Sequence, residues 1–553
     1  MGEIMTYDVI IVGAGSAGCP LAARLSENGT RKVLLIEAGP HYRRVEDYPE
    51  ELLQATSAVS STPGHPNNWS FIGQVSSKVA YPVPRGKVVG GSSALNATVF
   101  CRGTPEDFDG WAAAGNDAWS YEKVLPYFRK IEADRDFTNQ YHGNLGPIPV
   151  RRVPREDLAP DQQAFLTACL DMGYPEDPDK NSPDSDGVGI LPMNNVDGLR
   201  VNVAMAYLEP VRNRANLTIE SNMFVRRVVF DGQKAVGVEV EQAGETRLIS
   251  GSEVILSAGA IKSPHLLMLS GIGPAAELRA NGIEIIHDSA GVGKNLMDHP
   301  TVVVPYSLTK KWADKPNLQQ VQVSLQYTAT GSPIRHDVEI NPCCINPFGS
   351  SASGMGSFGG GIAAFLKRPL ATLAGLRGVS IKRLVTQLLQ RDDLLVICSL
   401  QQPEGRGSLT LKSSDPHQQP ELRYNYFENS FDRQRMREAV RLTAKLLDHK
   451  ALKSLGASMK APTRPVLEND DALDEWLLGN VFTAVHTAGT CKMGLASDES
   501  AVVDQYGRVH GVSGLRVVDC SIQPTSVRRP ANATAIMIGE YAPDLIGAAD
   551  PSL

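Results

Sequence analysis

Buried-type apolar runs, alternating runs and helical periodicities follow one another along this chain in an order that already outlines a fold. Tyr7 to Val12 reads YDVIIV, a short β-branched run without a polar face, the composition of a strand covered on both sides. Gly13-Ala14-Gly15-Ser16-Ala17-Gly18 follows at once. CPLAARLSENG then has helical spacing and stops at Gly29. A second β-branched run, Lys32 to Ile36, ends at Glu37-Ala38. Thr218 to Val229 reads as strands, and Val254 to Leu256 runs into the small-residue turn Ser257-Ala258-Gly259, as a strand returning to the same sheet would. Further on, Val302–Ser307, Gln320–Tyr327, Asp337–Ile340, Leu394–Leu400 and Ser408–Leu411 suit an antiparallel sheet. Asp432 to Leu447 is amphipathic and helical. The closing stretch TAIMIGEYAPDLIG is helical too, with Ile536, Ile538, Leu545 and Ile546 available for burial and Asn532 placed near its N-cap. The pattern predicts a mixed α/β chain without internal repeats.

The first unit carries chemistry. A strand, a GxGxxG turn, a helix and a strand closed by an acid form the frame of a dinucleotide site. Gly13 permits the tight turn, Gly15 lets a pyrophosphate approach the backbone, and Gly18 lets helix and strand pack closely. The helix N-terminus offers free N–H groups to phosphates, and Glu37 can accept hydrogen bonds from ribose hydroxyls.

Composition narrows the classes. The chain has 553 residues, too many for a single small module, and its apolar and charged fractions, 42% and 21%, are those of a folded globular protein. A formal net charge of -7 gives no reason to expect nucleic-acid binding. The eight cysteines form no CxxC pair, so neither a disulfide framework nor a metal site is expected. The first residues have no basic and apolar leader pattern, and no run of 18 apolar residues occurs. These features point to a reducing, cytoplasmic setting.

One segment departs from the rest. Residues 340–391 hold no Asp or Glu but carry Lys367, Arg368, Arg377, Lys382, Arg383 and Arg391, after a Gly-rich opening at 349–361. Two readings stand: a lid or weak membrane-surface contact, peripheral at the inner face of the membrane, or a helical cover with its basic face in water.

Two longer segments identify the relatives. Arg85-Gly-Lys-Val-Val-Gly90-Gly91-Ser92-Ser93-Ala-Leu95-Asn96-Ala-Thr-Val99 continues to Arg102-Gly103, and Gly259-Ala-Ile-Lys262-Ser263-Pro264-His265 continues through Ser270-Gly271-Ile-Gly273. Both resemble the signature segments of the glucose–methanol–choline (GMC) oxidoreductases, FAD-dependent alcohol oxidases and dehydrogenases. Similar pieces follow in family order: His142-Gly-Asn-Leu-Gly146, Gly291-Val-Gly-Lys-Asn-Leu-Met-Asp298-His299, His486-Thr-Ala-Gly-Thr-Cys-Lys-Met-Gly494, Leu515-Arg-Val-Val-Asp519 and Asn532-Ala-Thr-Ala. The layout is most similar to bacterial alcohol dehydrogenases and hydroxymethylfurfural or aryl-alcohol oxidases.

The resemblance implies a Rossmann-like FAD domain assembled from 1–155, 210–305 and 465–553, interleaved with a substrate domain from 156–209 and 306–464 built on an antiparallel sheet. It implies FAD contacts at Gly13, Ala14, Gly15, Ser16, Gly18, Glu37, Ala38, Gly90, Gly91, Ser92, Asn96, Val99, Val225, Ala258, Gly259, Asp519, Asn532, Ala533 and Thr534. Some members attach FAD through a histidine in the second loop; Leu95 stands there in this chain, so non-covalent FAD is expected. His486 is implied as the base and Asn532 as its partner in oxidising a primary or secondary alcohol by hydride transfer to flavin N5. Imidazole suits that role because its ordinary pKa is about 6.5. The electron acceptor is expected to be oxygen, a quinone or another carrier. The alternative on the same fold is a hydroxynitrile lyase-like or fatty-acid photodecarboxylase-like reaction.

Overall fold

In the computed structural model, which describes residues 6–310, 319–344 and 393–550, the first apolar run forms the strand Thr6–Val12 at the centre of a seven-stranded sheet. Its order is Leu217–Glu220, Val33–Ile36, Thr6–Val12, Glu245–Leu256, Lys234–Gln242, Phe224–Asp231. The first four run parallel, and Leu515–Val517 joins the end of Glu245–Leu256 in the same sense. The other two pair antiparallel. Val33–Ile36 is buried along its whole length, as expected where both faces of a parallel sheet are covered. Helix Gly18–Leu25 covers one face and packs on the last helix, Asn532–Ala549.

The parallel strands end together. Gly13 N donates to Ile36 O, Ser257 N to Val12 O and Val518 N to Leu256 O, at 2.8, 2.7 and 2.8 Å. Gly13, Glu37, Ser257 and Asp519 therefore emerge at one edge, the place where open α/β sheets bind ligands.

A second, wholly antiparallel seven-stranded sheet has the order Ser458–Met459, Pro300–Ser307, Leu394–Leu400, Val338–Cys343, Val323–Tyr327, Gly187–Ile190, with Phe482–Thr483 also paired to Pro300–Ser307. Helix Ser430–Asp448 lies against it, started by Asn429, whose Oδ1 accepts from Phe431 N at 2.7 Å. Ser408–Thr410, expected in this sheet, belongs elsewhere. It forms a four-stranded sheet with Glu421–Arg423, Phe71–Gln74 and Ala80–Val83. Alternation marks a strand but not its partner, and a hairpin with the nearby Glu421–Arg423 closes only a short loop. The basic stretch 340–391 begins in strand Val338–Cys343; from 345 onward it lies outside the described residues. All eight cysteines are free thiols, seven of them buried.

A buried ionic knot ties the loops around His142. Its Nδ1 lies 3.0 Å from both Glu132 Oε1 and Asp134 Oδ2, and its Nε2 lies 2.8 Å from Asp179 Oδ2. Arg152 bridges Asp134 and Asp179 at 2.9 and 3.1 Å, and Arg102 pairs with Glu132. Glu132, Asp134 and His142 are spaced as metal ligands could be. Two guanidiniums and the imidazolium already balance the three buried carboxylates, so the cluster is satisfied as an ion network.

Burial alone would lower the His142 pKa, but the hydrogen bonds it donates to Asp134, Asp179 and Glu132 raise it to about 10. The folded value lies above the ordinary 6.5, so the stabilisation is complete below about 6.5 and is lost as pH rises through about 10. The melting temperature should therefore fall between pH 8 and 10.5. His142→Gln should cost about 3–5 kcal/mol at pH 7 and flatten that alkaline limb. A variant that melts like the wild type at pH 7 would remove the imidazolium from this role.

Candidate active site

Two glycine loops meet backbone to backbone at the sheet edge. Gly90 N donates to Ala14 O at 2.8 Å, and a Cβ on Gly91 would stand 2.5 Å from Gly15 Cα. A Cβ on Gly18 would stand 1.9 Å from Gly13 O, so the turn closes only because Gly18 has none. A Cβ on Gly15 meets nothing nearer than 4.0 Å and would project into free space on the cavity wall. That is a cradle shaped for close approach of a ligand to the backbone, and the buried start of helix Gly18–Leu25 lies behind it.

Glu37 closes the second strand. Its Oε2 accepts from Ala14 N at 3.1 Å and its Oε1 from Gly39 N at 2.9 Å, which leaves one lone pair on each oxygen. Burial pushes its pKa up to about 7, against the lowering effects of those two bonds and the Lys87 charge. Asp519 is engaged by the protein: Gly259 N donates to its Oδ2 at 2.9 Å, Ser263 Oγ to the same oxygen at 2.6 Å, and Ser521 N to Oδ1 at 2.8 Å. Burial raises its pKa as well.

From this edge a cavity of about 930 Å³ runs to the second sheet, at the upper end of the size usual for ligand sites. Of the residues expected to hold a dinucleotide, Gly13, Gly15, Ser16, Glu37, Ala38, Gly91, Ser92, Asn96, Val99, Val225, Ala258, Gly259, Asp519 and Asn532 line it. Ala14, Gly18, Gly90, Ala533 and Thr534 do not. They stand one layer behind, where Gly90 and Ala14 join the loops. Leu95 lines the wall without a nucleophilic atom. On the far side, alternate residues of the second sheet present a polar face: Thr301, Glu339, Asn341, Ser399 and Gln401.

His486 and Asn532 line the same cavity. The loop of His486 is held by Asp298, whose Oδ1 accepts from the backbone N–H of both His486 and His299 at 2.8 Å, and whose Oδ2 accepts from Thr487 Oγ1 at 2.8 Å. Arg85 donates to Val485 O and, at 2.8 Å, to Thr487 Oγ1. The preceding Val485 is bent to a φ of 58°, a conformation that β-branched residues avoid. The two imidazoles contact each other through Nδ1 at 3.0 Å, and His299 Nε2 lies 3.0 Å from Val527 O.

These contacts assign the tautomers. A carbonyl only accepts, so His299 carries its proton on Nε2 and presents a lone pair at Nδ1. His486 must then donate from Nδ1, which leaves Nε2 of His486 unprotonated. Burial, then the neighbouring His299 and Arg85, hold the His486 pKa well below 6.5, and burial lowers His299 also. Both rings are therefore neutral near neutral pH.

Asn532 is the first residue of helix Asn532–Ala549, with Ala531, already in helical conformation, as the cap. Its side chain does not cap the helix as expected. Oδ1 accepts from Ser16 Oγ at 3.1 Å, and the buried Nδ2 has no protein partner. A buried amide donor without an acceptor costs roughly 1–3 kcal/mol unless a ligand supplies one. Sequence reasoning quoted Asp298-His299 and Arg85 only as parts of motifs. Their bonds to the 485–487 loop span about 190 and 400 residues, beyond any local pattern.

Comparison with known proteins agrees with this geometry. The amino-terminal GMC oxidoreductase family model matches residues 7–301 and the carboxy-terminal one residues 403–539. An uncharacterised GMC-type oxidoreductase of Rhodococcus erythropolis is 36% identical, covering 98% of each chain. An oxygen-dependent choline dehydrogenase of Photobacterium profundum is 34% identical, covering 98% of this chain and 93% of that one. The solved pyridoxine 4-oxidase from Mesorbium loti superposes with a TM-score of 0.83 at 28% identity, covering 97% of this chain and 98% of that one. Two glycine loops meeting over a strand edge, a histidine loop facing them, and matches along nearly the whole chain all lead to one assignment: the chain belongs to the GMC oxidoreductases, a family of FAD-binding flavoenzymes.

Proposed function

We propose that this oxidoreductase holds FAD non-covalently and oxidises a primary or secondary alcohol with His486 as the base. The observation that carries the reading is a pair of unused groups on residues that line one cavity: the free Nε2 of His486 and the unpartnered Nδ2 of Asn532. The cavity fits the cofactor, with a Cβ-free cradle at Gly15 for a pyrophosphate, a buried carboxylate at Glu37 for ribose hydroxyls, and a wall without a nucleophile at Leu95. Bound there, FAD supplies the acceptor for the hydride.

The remaining steps fall to side chains of this chain. Asn532 Nδ2 donates to the substrate hydroxyl oxygen and fixes it at no cost in charge. His486 Nε2 takes the hydroxyl proton, so that loss of hydride leaves a carbonyl and not a cation. The imidazolium formed keeps its Nδ1–H bond to the lone pair of His299, which stabilises the charge without a second proton transfer. His299 acts as a positioning residue, and Asp298 holds the backbone of both rings. The helix beginning at Asn532 carries about half a positive charge at its N-terminus, which would favour negative charge on a cofactor held in the cavity. The relatives named for choline and pyridoxine make hydrophilic alcohols the first substrates to try, and the polar face of Thr301, Glu339 and Ser399 suits them.

The following outcomes test this reading. Anaerobic addition of an alcohol panel, choline and pyridoxine included, should bleach the flavin band of the purified protein. His486→Ala should keep its flavin and slow bleaching about 10²–10⁴-fold. No bleaching by any alcohol, with cyanohydrin cleavage or light-driven fatty-acid loss in its place, would overturn the alcohol reading. Acid precipitation should release all flavin into the supernatant, whereas colour retained in the pellet would contradict non-covalent binding. Gly15→Ala should melt near the wild-type temperature yet bind FAD about 5- to 100-fold more weakly, from about 1–3 kcal/mol of crowding. Gly18→Ala should lower the melting temperature itself.

A further inference from the structure

Away from the histidine loop, two buried polar side chains lining the cavity have only each other and aromatic rings as partners. Lys262 and His265 sit one turn apart on helix Gly259–Leu269, 7% and 1% exposed. Lys262 Nζ lies 3.3 Å from His265 Nδ1, and no carboxylate among the described residues forms an ion pair with it. An ammonium only donates, so His265 Nδ1 accepts and His265 carries its proton on Nε2, a buried N–H with no partner. Lys262 stands in the first turn of its helix, where the macrodipole disfavours a cation. Burial lowers its pKa to about 8, and the charge of Lys87 adds to this. A desolvated cation at a helix N-terminus, held by ring faces and an imidazole but by no carboxylate, is costly to the protein alone.

Its surroundings say what recovers that cost. Lys262 Nζ lies 4.9 Å from the ring centre of Trp69 and 5.5 Å from that of Phe224, and Lys87 Nζ lies 5.0 Å from Trp69. Met223, Val225 and Leu266 complete an apolar wall. A second cavity of about 410 Å³ adjoins here, sharing Ala38, Trp69, Phe224 and Lys262 with the large one but none of the histidine loop. Flat aromatic and aliphatic walls with donors at one edge fit a heteroaromatic ring whose ring nitrogens only accept. A phosphate would find the donors but not the walls.

We propose that Lys262 and His265 form the adenine clamp of the cofactor site, donating from Nζ and Nε2 to ring nitrogens of the FAD adenine. The inference rests on FAD being the cofactor, and the test separates the two. FAD and FMN are titrated by fluorescence quenching into the full-length chain stripped of flavin, as wild type, Lys262→Met and Lys262→Arg. FMN lacks the adenosine half. Lys262→Met should weaken FAD about 10- to 100-fold, the loss of a charge-assisted hydrogen bond, and leave FMN within about twofold. Lys262→Arg should recover most of the FAD affinity. Unchanged FAD binding in Lys262→Met, or equal weakening of FAD and FMN, overturns the clamp while the FAD reading stands. A wild-type chain that takes up no FAD overturns both.

Discussion

The structure depends on one steric constraint, the backbone-to-backbone meeting of the 13–18 turn with the 90–91 loop. Gly18 lies so close to Gly13 O, and Gly91 so close to Gly15, that no side chain fits at either contact. The Gly90–Ala14 hydrogen bond then fixes the second loop to the first. Because the parallel strands end in register beneath them, Glu37, Ser257 and Asp519 fall around the same opening. The cavity is a consequence of that edge. A Cβ at Gly91 would push the loops apart and unseat Ser92, Leu95 and Asn96 on the wall together.

The opposing wall is organised by charge. Asp298 is completely buried and spends three acceptor sites on the histidine loop, and the guanidinium of Arg85 reaches the same loop from the other side. The anion orients backbone N–H groups and leaves the imidazoles to each other. Burial keeps both rings neutral, helped at His486 by the charge of Arg85, so an unprotonated ring nitrogen is available on the cavity. Were the Nε2 proton of His299 not committed to Val527 O, either nitrogen of His486 could carry the proton, and half the molecules would face the substrate with an N–H. Coupling of the two rings thus decides which face of His486 is basic.

Much of this was legible in the sequence where the cause is local. The strand, glycine turn, helix and acid of residues 7–37 read correctly because each rule spans a few residues. Asn532 read as a cap because a short polar residue precedes an apolar helix, yet Ala531 is already helical and the side chain turns to Ser16. Ser408–Thr410 read as a strand correctly, but its sheet is set by a pairing that alternation cannot encode. Lys262 and His265 were hidden in a segment whose periodicity says buried helix. Only their empty valences, visible when the surrounding side chains are placed, distinguish them from core residues. The same holds for His299, whose role exists only across the contact with residue 486.

The glycine turn and the Asn532 amide are coupled through the last helix. Arg24, in the helix that follows the glycine turn, donates to Glu540 at 2.6 Å, and Lys130 reaches the same carboxylate at 2.9 Å. The turn and helix of residues 13–25 are thereby clamped to Asn532–Ala549 at one end by this pair and at the other by Ser16 and Asn532. Ser16 is on the cradle wall, so any shift of the cradle moves the hydroxyl that orients Asn532 Oδ1, and with it the Nδ2 that faces the cavity. Two residues 516 positions apart in sequence, joined by one hydrogen bond, therefore cannot adjust independently. A chain assembled from distant segments thus ties the glycine cradle and the Asn532 amide to one helix end, so that neither is placed without the other.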